Sequence, residues 1–355
     1  MHERTYGSQR VSVELTNICN LHCSYCLRDE DALYHTPARF FPVSLLQEIA
    51  RQGRETIGLS HISFTGGEPT LHPQFAEAIA TIAREGLTTS FVTNGWHFDR
   101  VWPAIAAHRN GVTHVSFSLD GATVEAHDKW RGKGSFVRLV KAFSRCRHYE
   151  LPFEIKVVVR KDTLPHLEQL AVFAARMGAV SLNFGHLLPT SDQFDHELSL
   201  TEPERKMAEQ ETALLAQMFR MPVRLDVGYY NVDTTRPPCS PLAGVSCHID
   251  YRGYLTLCCN LSGFRGAAGE TDVAADLNTE NFAAGYQRLR RVADQQLEKW
   301  RTTLAEYEAR DERPDLNVGS PCLFCLQTLG KTPWRDVDAS TVGRRALPVV
   351  KSVPA

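Results

Sequence analysis

Three cysteines within eight residues form the densest set of metal-binding side chains in the sequence: Cys19-Asn20-Leu21-His22-Cys23-Ser24-Tyr25-Cys26. A cube of four irons takes one ligand per iron, so a loop this short can hold three corners and leave the fourth iron open to an external ligand. An α-amino acid can chelate such a corner through its amine and carboxylate, which would hold S-adenosylmethionine with its sulfur beside the cluster. One electron would then break a carbon–sulfur bond and yield a 5'-deoxyadenosyl radical; the cofactor carries the hard chemistry and the protein places the substrate. The alternative is zinc with His22 as a fourth ligand, but His22 directly precedes Cys23, a poor arrangement for tetrahedral closure.

A second, more dispersed set lies downstream. Cys239 and Cys258 are followed after a long gap by Cys322 and Cys325, two residues apart. Four thiolates can encircle another cluster with every iron ligated, a site suited to electron transfer or anchoring, and the same four can equally hold zinc. Cys247 and Cys259 are left over; Cys259 is placed to substitute for Cys258. Cys146 falls on an amphipathic stretch and reads as a packing residue.

The elements that position these cysteines alternate regularly. Strand patterns at Val11–Thr16, His61–Thr65, Thr88–Thr93, His114–Leu119, Phe153–Val159 and Val180–Phe184 are each too short for helices. Between them run amphipathic stretches near Ser44–Ile57, Pro73–Glu85, Phe98–His108, Ser135–Tyr149 and Pro165–Met177, and Thr201-Glu202-Pro203-Glu204 opens a sixth helix with a capping-box pattern. Strands joined by helical crossovers run parallel, and six such units are too few to close an eight-unit barrel. Beyond Met221-Pro222 the regularity stops. Tyr251-Arg252-Gly253 reads as a hairpin turn, and an apolar stripe from Phe282 through Trp300 to Tyr307 marks one long helix packed across the outside of the core.

In a parallel barrel the residues just past the C-terminal strand ends share one face. Strand two ends in Gly66-Gly67-Glu68, where the glycines permit close backbone approach and Glu68 can accept hydrogen bonds from an ammonium. Strand three ends at Asn94, a further cofactor-binding candidate, and strand four delivers Ser116, Ser118 and Asp120 to one face. Lys156, Arg160, Asn183 and His186 are weaker rim candidates; His186 reads as a satisfied rim histidine. No general base is assigned.

The spacing Cys19-x3-Cys23-x2-Cys26 after a first strand, with Tyr25 before the third cysteine, resembles the signature loop of the radical S-adenosylmethionine (radical SAM) superfamily. The resemblance covers Val11 to about Phe219 and implies an α/β fold, a partial (β/α)6 barrel. It also implies a four-iron cluster on Cys19, Cys23 and Cys26, with Gly66, Gly67 and Glu68 at the amine of the cofactor. Ser118 and Asp120 become candidates for its carboxylate or ribose, and Arg131 a partner for the carboxylate or else a solvated charge. The downstream cysteines resemble the SPASM extension of such enzymes or its shorter twitch form. A full SPASM domain has further cysteines after the pair and Leu326 to Ala355 has none, so one auxiliary cluster on Cys239, Cys258, Cys322 and Cys325 is expected.

The 355 residues suit two domains. We expect a core at 1–220, a twitch-like cysteine-rich domain with the long helix at 221–335, and a tail at 336–355. Hydrophobic residues at 43% and charged residues at 23% fit a folded globular chain, and a net charge of -2 gives no pull toward nucleic acid. No apolar run reaches membrane-span length and no secretory signal opens the chain, so a cytoplasmic location is expected, where the ten cysteines would not form a disulfide framework. The resemblance favours a peptide- or protein-modifying maturase. A separate peptide-recognition protein would then be needed, because only ten residues precede the first strand; a low-potential donor such as flavodoxin or ferredoxin would supply electrons. Dehydrogenation, epimerisation or rearrangement of a small metabolite is the alternative, and a non-catalytic iron–sulfur or zinc scaffold is a third reading.

Overall fold

The computed structural model describes residues 9–28, 31–190, 197–264 and 271–332. Six strands run parallel and in sequence order: β1 (Gln9–Thr16), β2 (Leu59–Gly66), β3 (Thr88–Thr93), β4 (Val112–Ser118), β5 (Phe153–Val159) and β6 (Ser181–His186). The helices are α1 (Val43–Ile57), α2 (Phe75–Arg84), α3 (Phe98–Ala107), α4 (Val124–Arg131), α5 (Ser135–His148), α6 (Leu167–Met177) and α7 (Glu202–Met218). Each expected strand and helix forms, with ends shifted by a few residues at most. At α7, Thr201 and Glu204 make the reciprocal capping box.

Helix α4 has no counterpart in the sequence reading. It is eight residues long and mostly polar, buries only His127, and is fixed by its ends: Thr123 accepts from the Ala126 N–H, and Gly132 follows at φ +87°. Local capping, not an apolar stripe, specifies it.

The sheet does not stop at the expected boundary near residue 220. Strand β7 (Val223–Leu225) pairs parallel with β6, while β8 (Ser246–Ile249), β9 (Tyr254–Thr256) and β10 (Val273–Asp276) add to the other edge. The order is β10-β9-β8-β1-β2-β3-β4-β5-β6-β7, with β8 parallel to β1, so ten strands form one open sheet whose end strands do not meet. The expected β8–β9 hairpin turns at Gly253, whose φ of +92° and close approach to the Asn278 amide leave no room for a side chain.

Alternation along the parallel strands separates two environments. Val13, Phe64, Phe91, Phe117, Ile155 and Phe184 point outward and are fully buried beneath the helices, and Cys146 is buried there as expected. Their neighbours Ser12, Ser63, Ser90, Ser116, Lys156 and Asn183 line a cavity on the concave face. A parallel sheet normally buries both faces in apolar packing; here one face is kept polar and open.

Helix α8 (Ser240–Ala243) precedes β8, and the long helix α9 (Phe282–Ala309) follows β10. Phe282, Tyr286, Leu289, Leu297, Trp300 and Leu304 of its expected stripe are buried. Its first half lies against β9, β10 and α1. Its second half builds a small separate core with Val318 and Phe324, from α10 (Leu316–Gly319) and α11 (Pro321–Thr328), and the Trp300 indole donates to the Val318 carbonyl at 3.0 Å. Helix α9 is therefore what seats α11, the carrier of Cys322 and Cys325. No helix among the described residues is long and apolar enough to cross a membrane, and the expected tail at 336–355 lies outside the described residues.

Candidate functional site

The loop carrying Cys19, Cys23 and Cys26 leaves the C-terminal end of β1, and backbone bonds tie its start to the end of β2. The Gly67 N–H donates to the Thr16 carbonyl at 2.9 Å and the Glu68 N–H to the Ile18 carbonyl at 2.8 Å. A Cβ on Gly67 would stand 2.0 Å from the Ile18 oxygen, and Gly66 adopts φ +121° with the Thr16 oxygen 2.5 Å from its would-be Cβ. The two glycines are thus required for the end of β2 to lie against the start of the cysteine loop. Within the loop, the Cys26 N–H donates to the Cys23 carbonyl at 2.9 Å, and the Tyr34 hydroxyl donates to the Leu21 carbonyl at 2.5 Å. His22 stacks on Tyr34 with ring centroids 4.0 Å apart.

Asn94, at the end of β3, donates to the Asn20 side chain at 3.0 Å and reaches the Cys19 sulfur at 4.0 Å. Its own carbonyl accepts from the Trp96 N–H at 2.9 Å. Glu68 is 1% exposed, and its carboxylate accepts from the Thr70 N–H and hydroxyl, the Thr93 hydroxyl at 2.7 Å and the Asn94 N–H at 2.8 Å. Three of the four bonds fall on Oε1, which leaves lone-pair capacity on Oε2. Burial raises the carboxyl pKa of Glu68 while those donors oppose it.

On the other side of the loop, Tyr25 donates to Asp120 Oδ2 at 2.5 Å. The same carboxylate pairs with Arg131 Nε and with Arg160 Nη1, the latter at 2.7 Å. Arg131 also donates to the Tyr25 oxygen at 2.8 Å, and the Arg160 guanidinium lies over both the Tyr25 and Trp130 rings, 4.6 and 4.2 Å from their centroids. Burial would raise the carboxyl pKa of Asp120, but Arg131, Arg160 and the Tyr25 hydroxyl outweigh it and hold the group well below the usual carboxylate range. Arg131 is therefore a nearly buried ion-pair partner, not a solvated charge. Ser118 is half-buried beside Lys156 on β5, and Ser116 hydrogen-bonds Glu154 at 2.5 Å.

The donor set suits an iron–sulfur cluster. Cys19, Cys23 and Cys26 are each partly buried on one short loop, and the neighbouring Asn20 amide nitrogen is buried with no partner among the described residues. A four-iron cube takes its thiolates at separate corners; no three His, Cys, Asp or Glu side chains among the described residues stand close enough to share one metal ion. Burial pushes the Cys19 thiol up to about 12, with Glu68 adding to the shift. Burial also raises Cys23, where Arg131 and Arg160 pull the other way. Both thiols are protonated without metal, so ligation must release protons.

The downstream cysteines line one cavity although 86 residues separate Cys239 from Cys325 in sequence (325 minus 239). Cys239 caps α8, Cys258 follows β9, and Cys322 and Cys325 sit on α11. All four line one small cavity of about 60 Å³ whose walls are otherwise mostly apolar, Leu242, Leu257 and Leu326 among them. Burial raises the Cys239 thiol to about 11 and the Cys325 thiol to about 12. Cys259 adjoins this set through Cys258 and also lines the large cavity. The hydrogen bond between Cys258 and Cys259 holds Cys259 low and Cys258 high. Cys247 is buried on β8 in the main core and reads as packing.

Between the two cysteine sets lies a cavity of about 970 Å³ over the concave sheet face. Cys26 borders it from the first set and Cys259 from beside the second. The Arg28 side chain joins the same wall, pairing with buried Glu14 at 2.7 Å, and Glu14 also meets His248 at 2.9 Å. None of these three residues was singled out from sequence, because a buried ion pair between residues from β1, the cysteine loop and β8 has no local signature. His186 departs from expectation: it is 7% exposed, and neither ring nitrogen has a partner among the described residues. Burial and Arg205 lower its pKa to about 4.

Comparison with known proteins adds a family match and three similar proteins. The pattern described as radical SAM superfamily matches residues 13–174. Mycofactocin maturase MftC of Mycolicibacterium smegmatis is 31% identical over 205 residues, 55% of this chain and 49% of that protein. The AdoMet-dependent heme synthase of Methanosarcina barkeri is 31% identical over 212 residues, 57% of each chain. The chain thus spans about half the length of the curated relatives it matches. In fold it is similar to Streptococcus suis SuiB bound to precursor peptide SuiA, at a TM-score of 0.61 and 15% identity over 79% of this chain and 66% of SuiB. That likeness covers a larger share of the chain than residues 13–174 do.

Proposed function

We propose, from the premise that residues 13–174 are a radical SAM superfamily domain, that the chain cleaves S-adenosylmethionine reductively and removes a hydrogen atom from a peptide or protein side chain. The single observation that carries this reading is the cavity of about 970 Å³ whose lining includes both Cys26 and Cys259. A substrate there would lie between the radical source and the second cysteine set. The first cluster, with the sulfonium cofactor on its open iron, would supply the 5'-deoxyadenosyl radical.

The residues of the chain have distinct duties in this reading. Cys19, Cys23 and Cys26 would hold the first cluster, and Cys239, Cys258, Cys322 and Cys325 an auxiliary one. Gly66 and Gly67 bring backbone against the loop, and Glu68 has the remaining lone-pair capacity to accept from the cofactor's amine. Asn94 and Ser118 are placed at strand ends facing the same rim. Asp120 and Arg131 act first on each other and on Tyr25, which makes them positioning residues for the loop. A flavodoxin- or ferredoxin-type donor and a separate peptide-recognition protein fit the same scheme.

Relatives support both substrate classes. SuiB is described with a precursor peptide and the other relative as a heme synthase, so a metabolite substrate is the second reading. The test uses anaerobically reconstituted protein with S-adenosylmethionine and a reductant, incubated with a perdeuterated extract split into peptide and small-molecule fractions. Deuterium appearing in 5'-deoxyadenosine with the peptide fraction alone is the expected result. Transfer from the small-molecule fraction alone selects the metabolite reading, and absence of any 5'-deoxyadenosine sinks both in favour of a scaffold.

A further inference from the structure

The concave sheet face carries an excess of positive charge that its own carboxylates do not neutralise. Arg10, Arg28, Lys156 and Arg224 line the cavity against Glu154 and Asp226. Arg28 is taken by Glu14. Glu154 is already engaged by Ser116, Ser181, Asn183 and Lys156. Arg10 and Arg224 form no ion pair among the described residues. In a chain of net charge -2 this imbalance is local, not a reflection of composition.

The cations are also ordered. Arg10 on β1 is the register partner of His61 on β2. The His61 ring lies parallel to His114 on β4, 4° between planes and 6.3 Å between centroids, and is fixed by hydrogen bonds of 2.9 Å to Thr88 and 2.8 Å to Ser90. His114 stands 3.8 Å from Glu154, which pairs with Lys156 at 3.3 Å. Arg10 and Lys156 therefore flank a pair of stacked imidazoles on rigid strands. Burial, followed by the charges of Glu154, Lys156 and Arg10, leaves His114 with a net lowering; His61 is lowered to about 4 by burial, His114 and Arg10. Both rings are neutral near pH 7, and cations in a walled cavity focus potential toward an anion.

We propose that this floor, with Arg10 and Lys156 on either side of His61 and His114, is a subsite for a carboxylate carried by the substrate. The inference rests on reading the cavity as the substrate site. Arg10, with no ion pair among the described residues, would give a charge-assisted hydrogen bond to the carboxylate, and Lys156 would share its ammonium between Glu154 and the ligand; the distance of this floor from the cysteine loop along the strands would anchor one end of the substrate while another part meets the chemistry.

The test is binding, not turnover. Reconstituted full-length protein labelled with 13C at histidine Cε1 is titrated with the blocked tripeptide acetyl-Gly-Glu-Gly-amide and with its glutamine counterpart, while the two floor imidazoles, assigned from His61→Asn and His114→Asn variants, are followed by NMR. The glutamate peptide should move both resonances and the glutamine peptide should not. Arg10→Gln and Lys156→Gln should each weaken the response by about ten-fold, the order expected for one charge-assisted bond. The exposure of both side chains makes misfolding of these variants a minor concern, and an unchanged thermal midpoint would verify it. Succinate moving the rings as well as the glutamate peptide keeps the carboxylate site and makes a free acid its source. Equal response to glutamate and glutamine peptides, no response to either, or stronger response to inorganic phosphate than to any carboxylate overturns the proposal. A positive binding result without deuterium transfer would reject the function and leave the subsite standing.

Discussion

Tyr25 and Asp120 are joined by a 2.5 Å hydrogen bond across 95 residues of sequence, tying the cysteine loop after β1 to the end of β4. Asp120 is fully buried, and the two guanidiniums of Arg131 and Arg160 meet it from the other directions. The loop that carries Cys23 and Cys26 is thus braced by a charged network before any metal binds.

Replacing Tyr25 with Phe removes one charge-assisted donor and leaves both guanidiniums on Asp120. The expected loss is about 1.5–3 kcal/mol of folding stability, read from urea unfolding of the metal-free protein. Wild-type stability in Tyr25→Phe would mean that the phenol is not bound to the carboxylate.

Asp120→Asn is a harsher change, because nearly buried Arg131 loses its counter-charge and buried Arg160 is left with Asp162 alone, at 3.0 Å. Breaking such a pair costs about 3–5 kcal/mol. The sign with pH follows from the depressed carboxyl pKa of Asp120 in the folded chain. Its stabilisation is complete above the unfolded value of about 4 and is lost as pH falls toward the folded value. The gap between wild type and Asp120→Asn should therefore be widest near neutrality and narrow below pH about 4; a constant gap across an acid series of unfolding curves would contradict the ion pairs.

Gly67→Ala forces a methyl group into the Ile18 carbonyl, 2.0 Å from the ideal Cβ. The cysteine loop must move away from β2. Iron at the first site should fall sharply while the second site keeps its share, which Mössbauer spectra of the enriched protein can separate. Full iron content in Gly67→Ala would show that the close approach is dispensable.

The two cysteine sets line different parts of the molecule, so they should load separately. Alanine at Cys19, Cys23 and Cys26 together is expected to abolish 5'-deoxyadenosine formation and leave about half the iron, and alanine at Cys322 and Cys325 to remove the other half. Loss of all iron in either variant would mean one shared assembly.

Much of this architecture was legible in the sequence because it is written in local periods. Six strand–helix alternations, the Thr201 capping box and the Gly253 turn each depend on neighbouring residues, and each forms. Spacing, together with the resemblance, pointed to Cys239, Cys258, Cys322 and Cys325 and left Cys259 open as a substitute for Cys258; the four line one cavity. Helix α4 was missed because its few apolar positions leave no stripe, and α4 carries Arg131 into the Tyr25–Asp120 network. The extension of the sheet by β8 alongside β1 was equally invisible, since a four-residue strand pairing across more than two hundred residues leaves no mark on either segment. His186 looked like an ordinary rim histidine, and only its burial without a partner among the described residues sets it apart.

Strand β1 is an inner strand only because Ser246–Ile249 lies along its far side. A truncated chain ending near residue 220 would leave that side as a bare row of amides and carbonyls, ready to recruit a neighbouring copy. The barrel half and the cysteine-rich half should therefore resist expression as separate pieces, and strain introduced on one flank of this shared strand would be felt on the other.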